Sequence, residues 1–169
     1  MIKRTLTLLL CIIFCLSTLP CCTKRENPTC RNILAAMMDA EINLPAGKIY
    51  DLRATEGNDE YLEERVINSL FGDGSSPPVR GGWLDLALFL PVSAHPCELA
   101  VFLCDTPDTA GDTARLLCRR LDVIKSTRKA PEYSAMLDSA TVTVIGNYVL
   151  LIISEDPALA LRAAVDMIK

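Results

Sequence analysis

The sequence has few of the residues that carry most enzyme chemistry. Its 169 residues include one histidine, one tryptophan and only 5% aromatic residues. It contains no Cys-x-x-Cys pair, no glycine-rich phosphate loop that ends in Lys and Ser or Thr, and no Gly-x-Ser-x-Gly nucleophile motif. These absences predict that the chain binds no cofactor and no metal ion.

Basic charge is also scarce. The chain has 17 basic and 21 acidic residues, a formal net charge of −4, so nucleic acid is not an expected partner. A charged fraction of 22% is too low for a charge-rich disordered chain, and half of the residues are hydrophobic. Length and composition therefore predict one folded domain with a substantial core.

The sequence begins with a targeting signal. Lys3 and Arg4 precede an almost continuously apolar run from Leu6 to Leu16, and no acidic residue occurs before Glu26. Polar residues and Pro20 interrupt the run before it reaches the roughly 20 residues of a membrane-spanning helix. This arrangement is typical of a secretory signal peptide.

The end of this signal resembles a bacterial lipobox, in which Leu stands three residues before a lipidated cysteine. In Leu19-Pro20-Cys21-Cys22 the matching cysteine is Cys22, although Pro20 and Cys21 depart from the usual pattern. We predict lipidation at Cys22 and attachment to the cell membrane on its extracytoplasmic face, because several acyl chains anchor a protein stably. An uncleaved N-terminal anchor and free secretion are the alternatives, and all three place the rest of the chain outside the cytoplasm.

Processing would divide the chain into three parts. Residues 1–21 are predicted as the signal peptide, 22–32 as a tether and 33–169 as a single α+β domain. Because residues 1–21 contain two basic and no acidic residues, 15 basic and 21 acidic residues remain, a formal charge of −6. Beyond Cys22 the cysteines are Cys30, Cys97, Cys104 and Cys118, which lack the close pairs of a zinc site. Buried thiols are the favoured interpretation, and a disulfide stays possible in an oxidising compartment.

The apolar periodicity predicts the order helix-β-β-helix-β-β-helix. Helical patterns cover 33–38 and begin again at Asn58, and strands are expected over 83–92 and 98–104. A helix starts at Thr106-Pro107, a hairpin turns at Gly146-Asn147 between strands 141–145 and 148–154, and the last helix starts at Asp156-Pro157. The expected fold is therefore α+β, an antiparallel four-stranded sheet with helices packed on it.

Candidate catalytic groups are few, and each has a simpler explanation. His95 lies in a connection without a nucleophile motif beside it. Paired carboxylates could come from two acids in the predicted strands or from a cluster around the start of the second helix: Asp85, Glu98, Glu56, Asp59, Glu60, Glu63 and Glu64. The cluster is better explained as the solvated start of a helix, Asp85 as a solvent-facing strand residue and Tyr148 as a packing residue. We therefore predict no catalytic residue.

One segment carries a family resemblance. Residues 133–156 read YSAMLDSATVTVIGNYVLLIISED, with Gly146-Asn147-Tyr148 followed by an apolar strand and Ser-Glu-Asp. Together with the strand from Glu98 to Cys104 that leads into the Thr106 helix, they resemble the DUF4358 family of uncharacterised Firmicutes lipoproteins. The resemblance covers roughly residues 33–169, and the loop 73–82 and the cysteine content depart from it. It implies the fold and the location but no catalytic residue.

These observations favour a non-catalytic, lipid-anchored envelope protein that binds an envelope protein or a small ligand. The alternative is an enzyme or enzyme accessory that acts on cell-wall or peptide substrates through carboxylates. A deep pocket with two or more acids would favour the enzyme. An exposed apolar groove or an open sheet edge would favour binding.

Overall fold

The computed structural model describes residues 27–41, 43–72, 81–128 and 130–169. The described strands are β1 (Gly47–Asp51), β2 (Trp83–Pro91), β3 (Glu98–Cys104), β4 (Thr141–Ile145) and β5 (Tyr148–Ile153). The described α-helices are α1 (Cys30–Ala40), α2 (Glu64–Phe71), α3 (Pro107–Thr127), α4 (Ser134–Ser139) and α5 (Pro157–Ile168). A 3₁₀ turn covers Pro131–Tyr133. The predicted signal peptide and Cys22 lie outside the described residues.

The strands form one antiparallel sheet in the order β1-β2-β3-β5-β4. The α+β class and the antiparallel sheet are confirmed, whereas the prediction of four strands is wrong because β1 was missed. Its sequence, GKIYD, is short and contains Gly, Lys and Asp, which are uncommon in strands. It becomes a strand through pairing with β2, with Ile49 opposite Phe89.

Helices cover both faces of the sheet. Helices α1 and α5 pack against each other on one face, and α3 packs on the other face together with α2. Strands β3 and β5, which lie inside the sheet, are buried along almost their whole length, and both are apolar except for Glu98 at the start of β3. Strand β4, with alternating threonine and valine, lies at an edge of the sheet.

Local signals explain most helix and hairpin boundaries. The side chains of Thr106 and Asp156 cap α3 and α5 by accepting backbone N–H groups, and each is followed by proline at the first helical position. Gly146 has a φ of +59°, which suits the two-residue hairpin between β4 and β5. In the last helix Ala160 and Ala164 are buried, and Leu161 and Ile168 pack partly buried against the core.

The second helix begins later than its pattern predicted. It starts at Glu64 rather than near Asn58. The Asn58 side chain accepts the backbone N–H of Glu60 at 2.8 Å, and this local turn replaces a helical start. Of the acidic cluster, only Glu63 and Glu64 therefore lie at a helix N-terminus.

The N-terminal boundary of the domain also lies earlier than expected. Helix α1 begins at Cys30 and is capped by Thr29, and the carbonyl of Pro28 accepts the Tyr148 hydroxyl at 2.7 Å. Residues from Pro28 onward are therefore part of the domain rather than of the tether. Within the four described ranges, no helix combines the length and the apolar character needed to cross a membrane.

Candidate functional site

Asp85 is fully buried, so its predicted position on a solvent-facing strand surface is wrong. Its side chain is 0% exposed and accepts the backbone N–H groups of Cys30 at 2.8 Å and Leu86 at 3.0 Å. The guanidinium of Arg53 forms an ion pair with it at 3.0 Å. The carboxylate therefore satisfies a free N–H at the start of α1, where the helix dipole also favours negative charge.

Glu98 is the second buried acid, and it occupies a separate site. Its side chain is 3% exposed and receives hydrogen bonds from Nε and Nη2 of Arg120 at 3.2 and 2.8 Å. Asp85 on β2 lies opposite Leu103 on β3, and Leu103 is five residues after Glu98. Because side chains alternate along a strand, this odd separation places the two acids on opposite faces, near opposite ends of the sheet. They cannot act as a carboxylate pair in one cleft.

His95 and Cys97 lie close together but do not form a reactive pair. His95 Nδ1 accepts the Cys97 backbone N–H at 3.1 Å, and its ring lies 4.9 Å from the Tyr133 ring. Burial, and then the negative charges of Glu41, Glu98 and Glu155, raise the pKa of the Cys97 thiol to about 12. The thiol therefore stays protonated at neutral pH and is a poor nucleophile.

The other described cysteines are also free thiols. Burial raises the pKa of Cys30 and of Cys104, which supports the interpretation of inert core thiols. Cys118 differs from the prediction, because it is exposed on the outer side of α3. Across the described parts of the chain, no three His, Cys, Asp or Glu residues are grouped to hold a metal ion.

Most of the acidic cluster is solvated, as predicted. An open cleft of about 710 Å³ beside β1 is lined by Lys48, Glu56, Gly57, Asn58, Asp59, Tyr61, Glu63, Glu64 and Arg65. Glu60 lies apart from this cleft because Arg31 binds both of its oxygens, at 2.8 and 3.0 Å. These hydrogen bonds lower the pKa of Glu60. The cleft is therefore an exposed acidic surface rather than a closed pocket.

The outer edge of β1 presents backbone groups away from the sheet. Leu52 N–H donates to Leu86 O at 2.9 Å, and Val92 N–H donates to Ala46 O at 3.0 Å. In an antiparallel pair every second residue directs its backbone N–H and C=O groups to the partner strand. Because residues 46 and 52 bond to the β2 side, residues 48 and 50 also direct their backbone groups toward β2. The N–H and C=O groups of Gly47 and Ile49 therefore point outward.

An apolar groove lies beside these outward groups. It has a volume of about 380 Å³ and is lined by Met38, Gly47, Lys48, Ile49, Asp59, Glu60 and Phe89. A Cβ atom at position 47 would collide with the Phe89 ring, so glycine allows this ring to lie across the start of β1. We call the outer backbone of residues 47–49 together with this groove the β1 edge site. Sequence reasoning missed it because β1 itself was missed.

Comparisons with known proteins assign nothing further. A scan against protein-family models, a search of curated proteins and a search of solved structures each found no match to the chain. The resemblance to the DUF4358 family stays a prediction.

Proposed function

We propose that this protein is a lipid-anchored, non-catalytic binding module of the cell envelope that holds its partner at the β1 edge site. The observation that carries the proposal is the outward backbone of Gly47 and Ile49 beside an apolar groove. Open strand edges bind extended partners through main-chain hydrogen bonds, while adjacent pockets select side chains.

The interior supports the non-catalytic part of the proposal. The two acids in apolar strands, Asp85 and Glu98, each neutralise an arginine and are buried. The sole histidine accepts a backbone N–H through Nδ1. These groups stabilise the fold, and none of them lines the β1 edge site.

The lipobox-like sequence Leu19-Pro20-Cys21-Cys22 supports the anchored part of the proposal. The Pro28 carbonyl accepts the Tyr148 hydroxyl, and only residues 23–27 separate Pro28 from Cys22. Lipidation at Cys22 would therefore hold the domain close to the membrane surface. Labelled palmitate should enter the wild type and Cys21→Ala but not Cys22→Ala. Equal incorporation in all three proteins would disprove Cys22 as the lipidated residue, and no incorporation in the wild type would disprove the lipid anchor.

Site-specific cross-linking in intact cells tests the binding part. A photoreactive amino acid at Lys48, which is exposed on β1, should give a defined cross-linked partner that mass spectrometry identifies. The matched control is Val144, which is 47% exposed on β4 at the opposite edge of the sheet. The same products from both positions, or none from position 48, would contradict binding at β1.

A second candidate function is an enzyme or enzyme accessory that acts on cell-wall or peptide substrates. The open cleft with Glu56, Asp59, Glu63 and Glu64 favours it, because several carboxylates line one space. All four are exposed, whereas the pKa of a general acid is usually raised by burial. Glu56→Gln with Asp59→Asn should remove hydrolysis of cell-wall or peptide substrates if this candidate holds, and should affect only affinity if the binding proposal holds.

A further inference from the structure

We propose that the occupant of the β1 edge site is an extended peptide segment in which apolar and basic side chains alternate. It would add to the sheet as a sixth strand beside β1. The inference rests on the proposed binding function and specifies the chemistry of the partner.

The backbone geometry limits the length of this added strand. Gly47 and Ile49 offer outward N–H and C=O groups, but the Asp51 N–H already donates to Glu60 O at 2.8 Å. Asp51 and Tyr61 also form a parallel bridge, which covers the edge at this end. An added strand can therefore pair along residues 47–49 and must turn away before Glu60.

The two faces of β1 select different side chains. Successive side chains of a strand point to opposite faces, so alternate peptide residues would enter different spaces. One face presents Met38, Ile49 and Phe89 of the apolar groove. The other face carries Lys48 and opens on the acidic cleft. Apolar side chains suit the first space, and lysine or arginine suits the second.

The charge of the cleft makes this assignment specific. Four acidic and two basic side chains line it, and Arg65 pairs with Glu63 at 2.6 Å. Lys48 Nζ lies 4.8 Å from the centroid of the Tyr50 ring. Among the described residues, Glu56 and Asp59 form no ion pair, so their charges face solvent and can attract a cation.

The same charges disfavour a second copy of this chain as the occupant. Pairing β1 with β1 of another copy would bring two acidic clefts together, and like charges repel. The covered end at Asp51 would also limit the register of such a pair. A short basic extended segment avoids the charge repulsion and fits along the uncovered residues 47–49.

Peptide binding to the full-length protein in detergent tests the inference. The probe is a fluorescein-labelled seven-residue peptide of alternating Lys and Val, with an alternating Glu and Val peptide and a Lys₄Val₃ block peptide as controls. We expect the Lys-Val peptide to bind about tenfold or more tightly than either control, and to weaken as salt rises. N-methylation of the backbone amides that face β1 should abolish binding.

Matched variants locate the site. Glu56→Lys with Asp59→Lys should weaken the Lys-Val peptide about tenfold and strengthen the Glu-Val peptide, whereas Val144→Lys should change neither. Hydrogen exchange gives a readout in the wild type that does not depend on any variant folding. The Ile49 amide should exchange fast in the free protein and slow when the Lys-Val peptide binds.

Five outcomes would overturn the inference. Equal affinity for the block peptide or tolerance of N-methylation would exclude strand addition with alternating side chains. An Ile49 amide already protected in the monomer would show that the chain covers its own edge. A dimer that Ile49→Lys dissociates would identify a second copy as the occupant. A cross-link at Lys48 in cells without Lys-Val binding would leave the proposed function standing and refute only the peptide chemistry.

Discussion

Acidic residues serve different purposes in the interior and at the edge of the sheet. Asp85 and Glu98 lie inside, and each contacts one arginine. Glu56 and Asp59 line the open cleft beside β1 and remain solvated. Taking a carboxylate out of water is costly, so a buried acid is retained only with partners that neutralise it. An exposed acid has no such requirement, and its charge is available to a binding partner.

Asp85→Ala should give the largest loss of stability. It removes the acceptor for the Cys30 N–H at the start of α1 and the partner of Arg53. We expect the free energy of unfolding to fall by about 3 kcal/mol, measured by urea denaturation with circular dichroism. The surface control, Asp59→Ala, should change it by less than about 0.5 kcal/mol. Similar losses in both variants would remove the distinction between the two regions.

The Glu98–Arg120 pair should show a somewhat smaller effect. Arg120 is 19% exposed and can recover some water when its partner is lost. Glu98→Gln and Arg120→Met should each cost about 2 kcal/mol, and a double-mutant cycle should give a coupling energy of about 1 kcal/mol or more. Additive losses would show that the two side chains stabilise the fold independently.

The elements that sequence patterns predicted best are those with a local signal. The Gly146-Asn147 turn, the Thr106-Pro107 and Asp156-Pro157 helix starts and the long apolar strands all occur where expected. Strand β1 has no such signal, because Gly47, Lys48 and Asp51 are uncommon in strands and pairing with β2 defines it. Four of the five strands in the described residues could therefore be predicted, and the one that forms the candidate site could not.

Burial of single polar residues was harder to predict than the elements. Asp85 occurs in an apolar run, and the expectation of a solvent-facing side assumed that one face of β2 was open. Helix α1 covers that face and brings the Cys30 N–H to the carboxylate. Cys118 shows the reverse error, because it follows the buried Leu117 on α3 and is nevertheless exposed. Both depend on the packing of helices from distant parts of the chain.

Glu41 is partly buried, so its exposure lies between that of the interior acids and that of the edge acids. Its carboxyl group should make the stability of the fold depend on pH. Burial raises its pKa above the usual 4.5, although a hydrogen bond from Ser154 Oγ at 2.6 Å acts in the opposite direction. The folded state therefore holds this proton more tightly, so stability falls as pH rises from 4.5 through the folded pKa, and the loss persists above it. Glu41→Gln should have a higher Tm than the wild type at pH 7 and a similar Tm at pH 4. A lower Tm at pH 7 would show that the Ser154 bond outweighs burial.

The smallest effect on stability should come from neutralising the edge. Glu56→Gln with Asp59→Asn removes two charges from side chains that water already surrounds, so the free energy of unfolding should change by less than about 0.5 kcal/mol. Asp85→Asn makes the same chemical change as Asp59→Asn, but at a buried site. It should be clearly destabilising, because the neutral amide cannot form the ion pair with Arg53. If Asp59→Asn were as costly as Asp85→Asn, the edge acids would be part of the fold, and the cleft would not be free to receive a basic partner.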